Sequence, residues 1–146
     1  MASFGKRFQS SRQDWTTPRS IFDPLNDEFG FTLDAAASSD NALADKYFDE
    51  ADDGLSQSWQ GETVWCNPPY GDQSGSLKDW VKKSYDESLL GATVVMLIPA
   101  RTNTNWFHEY CLEHGEVRFI KGRPKFGDSP HGLPQPLAIV IFRGCQ

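Results

Sequence analysis

Asn67-Pro68-Pro69-Tyr70 is the segment of this chain whose residue types and spacing could do chemistry. Two consecutive prolines restrict the backbone and remove two N–H donors, while their carbonyls stay as acceptors. The Asn67 side chain adds another acceptor at the same point. Tyr70 offers a flat aromatic face beside them. Two acceptors converging next to an aromatic plate suit a planar exocyclic NH₂ group. If both amino hydrogens are held, the nitrogen leaves conjugation with its ring and its lone pair can attack an electrophile. No general base of unusual pKa is required, because catalysis rests on orientation and preorganised dipoles. The plainer alternative is a rigid strand-to-loop turn, and a bare Asn-Pro pair would signal no more than that. The whole tetrad directly after an apolar strand favours the chemical reading.

Other candidates lie around it. Asp34 ends a short apolar stretch, Phe31-Thr32-Leu33, and helix-capping or plain surface charge is its alternative reading. Val117–Gly127 holds Arg118, Lys121, Arg123 and Lys125 with no acid, and Phe126 lies among them. This alternation suits a nucleic-acid face, with cations on phosphates and Phe126 as a stacking surface. A charged, solvated strand edge is the alternative. Arg101, straight after an apolar run, could reach a phosphate or a base edge. Lys6, Arg7 and Arg12 could add non-specific affinity from the N-terminus. His108-x-x-Cys111-x-x-His114 looks superficially metal-like, but the positions share a helix face only in part. A buried Cys flanked by surface histidines is expected there, and no metal site is assigned. No phosphate-cradling GxxxxGK[ST] and no HExxH occurs.

The elements that must position these residues follow from periodicity and turn chemistry. Thr17-Pro18 is a helix start, Thr as cap and Pro at the first helical position. Ile21, Phe22, Leu25 and Phe29 follow at helical spacing, Pro24 should kink or shorten the helix, and Gly30 stops it. Residues 38–53 are acidic and poorly periodic and read as a loop with one turn of helix. Thr63–Cys66 is a strand that must leave its sheet at the prolines. Ser76 caps a helix with Leu77, Val81, Tyr85 and Leu89 on one face. Thr93–Ile98 is an unbroken apolar strand, Asn103–His114 an amphipathic helix, Val117–Ile120 and Leu137–Phe142 two more strands, with a Pro- and Gly-rich loop over 121–136. Strands alternating with helices predict an α/β fold with a mostly parallel sheet and helices on both faces. In such sheets ligands sit at the carboxyl ends of strands, where Asp34 and Asn67 fall.

The 146 residues allow one domain, expected over 15–146 behind a loose basic arm at 1–14. Hydrophobic residues make up 38% and the mean hydropathy is −0.53, a globular composition with no apolar run near the ~20 residues that span a bilayer. The N-terminus has no apolar stretch of the kind a secretory leader needs. Three cysteines without CxxC spacing point to a reducing compartment. Net charge is −6, which alone argues against a nucleic-acid partner. Its distribution differs: residues 21–66 carry eleven acids and one base, whereas residues 67–146 carry nine bases and eight acids. An acidic protein can still present one basic face.

The tetrad and its neighbours resemble the small phage-type DNA N6-adenine methyltransferases. The likeness runs over Trp15-Thr16-Thr17-Pro18 with Phe22, Glu28 to Ala37, Asp53-Gly54-Leu55 with Trp59, Val64-Trp65-Cys66 with the tetrad, and Leu97 to Thr102, in order. The resemblance implies a compact Rossmann-like fold that uses S-adenosyl-L-methionine and acts on DNA. It implies that Thr17 and Pro18 hold the amino-acid end of the cofactor, Asp34 its ammonium and Asp53 its adenine amino group. Asp34-Ala35-Ala36-Ala37 stands where most such enzymes carry Gly-x-Gly, and alanine is small enough for close approach, which adds Ala36 to the cofactor set. No ribose ligand is assigned; Asp49 and Asp52 are the acids available. Asn67 and Pro68 would hold the target N6 amino group, Pro69 completes the motif and Tyr70 would stack on a base taken out of the helix. Arg101, Lys121, Arg123, Lys125 and Phe126 would face DNA. The expectation is therefore methyl transfer to adenine N6 in DNA, in a bacterial host's cytoplasm, with no membrane partner and with a monomer as the simplest oligomeric state. Methylation of another planar amino group (cytosine N4, an RNA base, a protein glutamine) and a non-catalytic DNA-binding protein of the same fold are the alternatives.

Overall fold

The computed structural model describes residues 17–70, 76–125 and 135–145. Its framework is a six-stranded sheet in the order β2-β1-β3-β4-β6-β5. The strands are β1 (Leu33–Asp34), β2 (Lys46–Tyr47), β3 (Thr63–Cys66), β4 (Thr93–Pro99), β5 (Glu116–Phe119) and β6 (Leu137–Phe142). The sheet is mixed. β2, β1, β3 and β4 pair in parallel, whereas β6 runs antiparallel to both β4 and β5. β5 therefore points the same way as β4, and the carboxyl ends of five strands share one edge.

The central strands are the apolar runs. Every residue of Val94–Pro99 and of Leu137–Phe142 is buried, as expected for strands paired on both sides and covered above and below. Three helical elements cover them: α1 (Arg19–Phe29), α2 (Leu77–Leu89) and α3 (residues 105–114). Trp65 and its register partner Val95 lie on one face of the sheet, where Phe22 of α1 meets Trp65 edge-on at 5.3 Å. Phe142 points to the other face, where Tyr85 of α2 meets it at 6.1 Å. Helices thus cover both faces. The middle of α3, Phe107–Leu112, is wound as a π-helix.

Local chemistry sets the boundaries. Ser76 Oγ accepts the Asp79 N–H and the Asp79 carboxylate accepts the Ser76 N–H, both at 3.2 Å, closing a capping box on α2. Gly30 ends α1 in the left-handed region at φ 70°, which glycine adopts without a side-chain penalty.

Several expectations are revised. Pro18, not Thr17, occupies the cap of α1, and its hydrocarbon ring offers no capping group, while the Thr17 hydroxyl accepts from Asn67. Pro24 sits inside α1 without ending it. Residues 38–53 contain β2, a two-residue edge strand with Lys46 exposed and Tyr47 half-buried. So short an edge strand leaves no periodic signature. The arm at 1–14 lies outside the described residues.

Candidate active site

The shared carboxyl edge brings the chemistry-bearing residues together. β1 delivers Asp34, β3 delivers Asn67 and β4 delivers Arg101. Asp34 is level with Trp65, and Trp65 with Val95, so β1 and β3 end within one residue of each other, while β4 runs on three residues past Met96, the partner of Cys66, to Pro99.

Asp34 is only 3% exposed. Its Oδ2 accepts the Leu43 N–H at 3.0 Å and its Oδ1 the Ala36 N–H at 3.4 Å. The buried carboxylate therefore shapes the turn Ala35–Ala37 and ties it to the loop that leads to β2. Beyond β2, Asp49 and Asp52 bond reciprocally, each carboxylate to the other's N–H at 3.0 and 2.9 Å. Asp49 lies two residues past Tyr47, and the Phe48 N–H bonds the Asp34 carbonyl at 3.0 Å, which puts Asp49 beside the β1 end.

Asp53 is exposed, with left-handed backbone (φ 55°), at the start of the 3₁₀ turn Gly54–Ser56. The loop that carries it is pinned from below. The Trp59 indole N–H donates to the Gly54 carbonyl at 3.0 Å, and the Trp59 backbone N–H donates to the Glu87 carboxylate at 2.5 Å. Glu87, on the buried face of α2, also pairs with Lys83 at 3.4 Å, and Lys83 Nζ reaches the Gln57 carbonyl at 2.5 Å. Sequence reading missed Glu87; a carboxylate on the apolar face of a helix was the available signal. Gly54 is required for a reason other than flexibility. A Cβ there would stand 2.3 Å from the Ala35 carbonyl oxygen and 3.1 Å from the Trp80 ring. Gly54→Ala is expected to cost about 2 kcal/mol by overpacking, read as a lower midpoint in chemical denaturation. Wild-type stability in that variant would contradict this packing.

The tetrad turns the chain away from β3, with Asn67 half-buried and Pro68 and Pro69 buried. Asn67 Nδ2 donates to Thr17 Oγ1 at 3.1 Å. The Tyr70 hydroxyl lies 3.0 Å from Asn67 Oδ1 and 3.0 Å from the Leu97 carbonyl. Tyr70 is 5% exposed and belongs to the core cluster. The ring packs inward, and its hydroxyl has acceptors. Burial also pushes the phenol's ionisation well above its usual range.

Arg101 Nη2 approaches the Tyr70 carbonyl at 3.4 Å. Its own carbonyl accepts the Thr104 N–H and hydroxyl at 3.1 and 2.7 Å, and His108 Nε2 lies 2.6 Å from the Thr102 carbonyl, closing the turn into α3. Cys111 is buried between exposed His108 and His114, and burial pushes its thiol up to about 12.

Lys121, Arg123 and Lys125 are exposed just past the end of β5. The Ile120 N–H bonds the Leu137 carbonyl at 3.1 Å, and Leu137 is level with Pro99, so these cations stand on the edge that carries Asn67 and Arg101. Arg118 does not join them. Its guanidinium pairs with Glu28 at 2.8 Å and Glu116 at 2.6 Å, and Arg143 pairs with Glu116 at 2.8 Å, around the Phe29 ring. Hydrogen bonds from Arg118 hold the Glu28 carboxyl below the usual range, and those from Arg143 and then Arg118 do the same for Glu116. Phe126 lies outside the described residues.

A family model described as DNA N-6-adenine-methyltransferase (Dam) matches residues 5–135. A DNA N-6-adenine-methyltransferase of Escherichia phage T1 is 32% identical over 80% of this chain and 51% of its own length. One from Haemophilus phage HP1 is 29% identical over 92% of this chain and 80% of its own. The chain thus spans about half the length of the first relative and four fifths of the second. On the family match over most of its length, this chain belongs to the DNA N-6-adenine-methyltransferase (Dam) family.

Proposed function

We propose that this protein transfers a methyl group from S-adenosyl-L-methionine to the N6 amino group of adenine in DNA. The observation that carries the reading is Asn67-Pro68 at the carboxyl end of β3, in the same edge as Asp34 and the exposed cations, in a chain of this family. The α/β sheet is read as a Rossmann-like methyltransferase fold, one domain over residues 15–146.

The donor set fits the cofactor. Ala35–Ala37 is a small-residue turn braced by the Asp34 carboxylate, with Ala36 half-buried at the carboxyl edge. In this reading Asp34 supplies negative charge for the cofactor's ammonium, Thr17 and Pro18 take its amino-acid end, and exposed Asp53 bonds its adenine amino group. Asp49 and Asp52, past β2, are the acids this reading offers for its ribose. When bound, S-adenosyl-L-methionine supplies an electrophilic methyl group. Asn67 Oδ1 and the Pro68 carbonyl accept the two hydrogens of the adenine amino group, turning its lone pair outward. The dipoles are in place before the base arrives, so little reorganisation remains for the chemical step. Adenine N6 is paired inside a duplex, so the base must leave the stack.

Arg101, Lys121, Arg123, Lys125 and Phe126 are read as the DNA face. Changing Lys121, Arg123 and Lys125 together to Ala is expected to weaken DNA binding and to lower the slope of log K against log salt by up to about three. An unchanged slope in a binding titration would move the DNA face elsewhere. Among the described residues no helix is long and apolar enough to cross a membrane, and the host cytoplasm is the compartment this reading implies.

The reaction is tested by incubating the protein with S-adenosyl-L-methionine and unmethylated DNA, then digesting to nucleosides for mass spectrometry. N6-methyladenine is expected. Methylcytosine alone would keep the role of Asn67 and change the base; no methylated nucleoside from folded protein would overturn the reading.

A further inference from the structure

We propose that Lys83 and Glu87 are positioning residues for the cofactor's adenine, acting through the loop that carries Asp53. The inference rests on the reading of Asp53 given above. Glu87 is buried in the last turn of α2, where the helix dipole disfavours an acid, and Lys83 precedes it by four residues, the weaker order for such a pair. The helix itself therefore gains little from them. Their shortest bonds run to the loop instead. Glu87 Oε1 accepts the Trp59 N–H and Lys83 Nζ donates to the Gln57 carbonyl, both at 2.5 Å, while acid and base lie 3.4 Å apart.

From Gln57 and Trp59 the grip passes back to Asp53. The Trp59 indole N–H and the Gln57 N–H both donate to the Gly54 carbonyl, at 3.0 and 3.3 Å. The Ser56 N–H and hydroxyl both donate to the Asp53 carbonyl at 2.9 Å. Lys83 also lies over the Trp59 ring at 5.5 Å, and Trp80 of the same helix stacks on that ring at 6.4 Å. Among the described residues Asp53 is the only non-glycine with a positive φ, at 55°. Such a conformation persists only where the surrounding structure imposes it. The buried pair and its loop supply those surroundings, and they fix the backbone from which the Asp53 carboxylate projects.

Replacing a buried ion pair by apolar side chains of similar size is often neutral for stability. Lys83→Met combined with Glu87→Met is therefore chosen to keep the fold while it releases the loop. Calorimetric titration with S-adenosylhomocysteine is expected to show about tenfold weaker binding, with DNA affinity and kcat at saturating cofactor unchanged. In an Asp53→Ala background the same double change is expected to add nothing, because its effect passes through Asp53. Wild-type affinity in the double variant would overturn the proposal. So would an equal further loss in the Asp53→Ala background, or a parallel loss of DNA affinity, since either marks a general structural effect. If the double variant does not fold, Glu87→Gln carries the same titrations, because it keeps the volume and an acceptor for Trp59 and removes only the charge. About threefold weaker binding is then expected, and wild-type affinity would overturn the proposal. An Asp53→Ala variant that binds S-adenosylhomocysteine as tightly as wild type would show a different failure, that of the reading of Asp53 itself.

Discussion

Asn67→Ala is expected to slow methyl transfer about a thousandfold while the protein stays folded. The rate effect follows from removing one of the two acceptors that hold the amino group, and a preorganised dipole at a reacting centre is worth about 10²–10³ in kcat. The modest effect on folding follows from position. Asn67 lies beyond the end of β3 and is half-buried, and the Tyr70 hydroxyl keeps the Leu97 carbonyl as partner when the amide is gone. The lost bond to Thr17 should cost about 1 kcal/mol. The check pairs incorporation of labelled methyl into DNA with denaturant unfolding of the same preparation. Unimpaired turnover would remove Asn67 from the reaction, and with it the mechanism. Loss of the folded state would instead show that the tetrad holds the sheet edge together.

Trp65→Ala is expected to have the largest effect on stability, about 3–5 kcal/mol. Trp65 is 1% exposed in β3, two residues before Asn67. Phe22 of α1 meets it edge-on at 5.3 Å and Phe31 at 5.6 Å, so its removal empties the seam between the sheet and α1. The consequence reaches the site, because α1 begins two residues after Thr17, the partner of Asn67. At temperatures where the variant remains folded, its methylation rate should fall as well. Denaturant unfolding with the slope compared to wild type gives the energy, and a loss under about 1 kcal/mol would mean that the seam repacks without the indole. Trp65→Phe, which retains most of the buried area, should recover a large part of both properties.

Much of this architecture was legible residue by residue. Thr93–Ile98 reads as a fully covered strand because an unbroken apolar run has no polar face to leave in water. Ser76 reads as a helix start because a hydroxyl ahead of an apolar periodicity can take a free N–H of the first turn, and the structure adds Asp79, whose carboxylate closes the cap. The prolines after Cys66 force the chain out of the sheet at Asn67. β2 was not legible, since two residues at an edge show no alternation and are held by pairing with β1 and by the ion pair of Lys46 with Glu62, sixteen residues on. Nor was the fate of Arg118, which looks like one more cation in a basic run until Glu28, ninety residues away in sequence, is found beside it.

By itself, the sequence determined where an acceptor-rich turn follows an apolar strand, because proline geometry, acceptor content and apolar periodicity are properties of a few consecutive residues. It also determined the family, through several short motifs in a matching order. Only the tertiary structure decided which groups meet. It placed Thr17 against Asn67 and turned Tyr70 inward onto Leu97. It set Glu87 beneath the loop that carries Asp53, and it drew Arg118 away from the cations past β5. These pairings depend on which elements pack side by side, and a hydrogen bond between residues fifty positions apart leaves no mark on the chain near either of them.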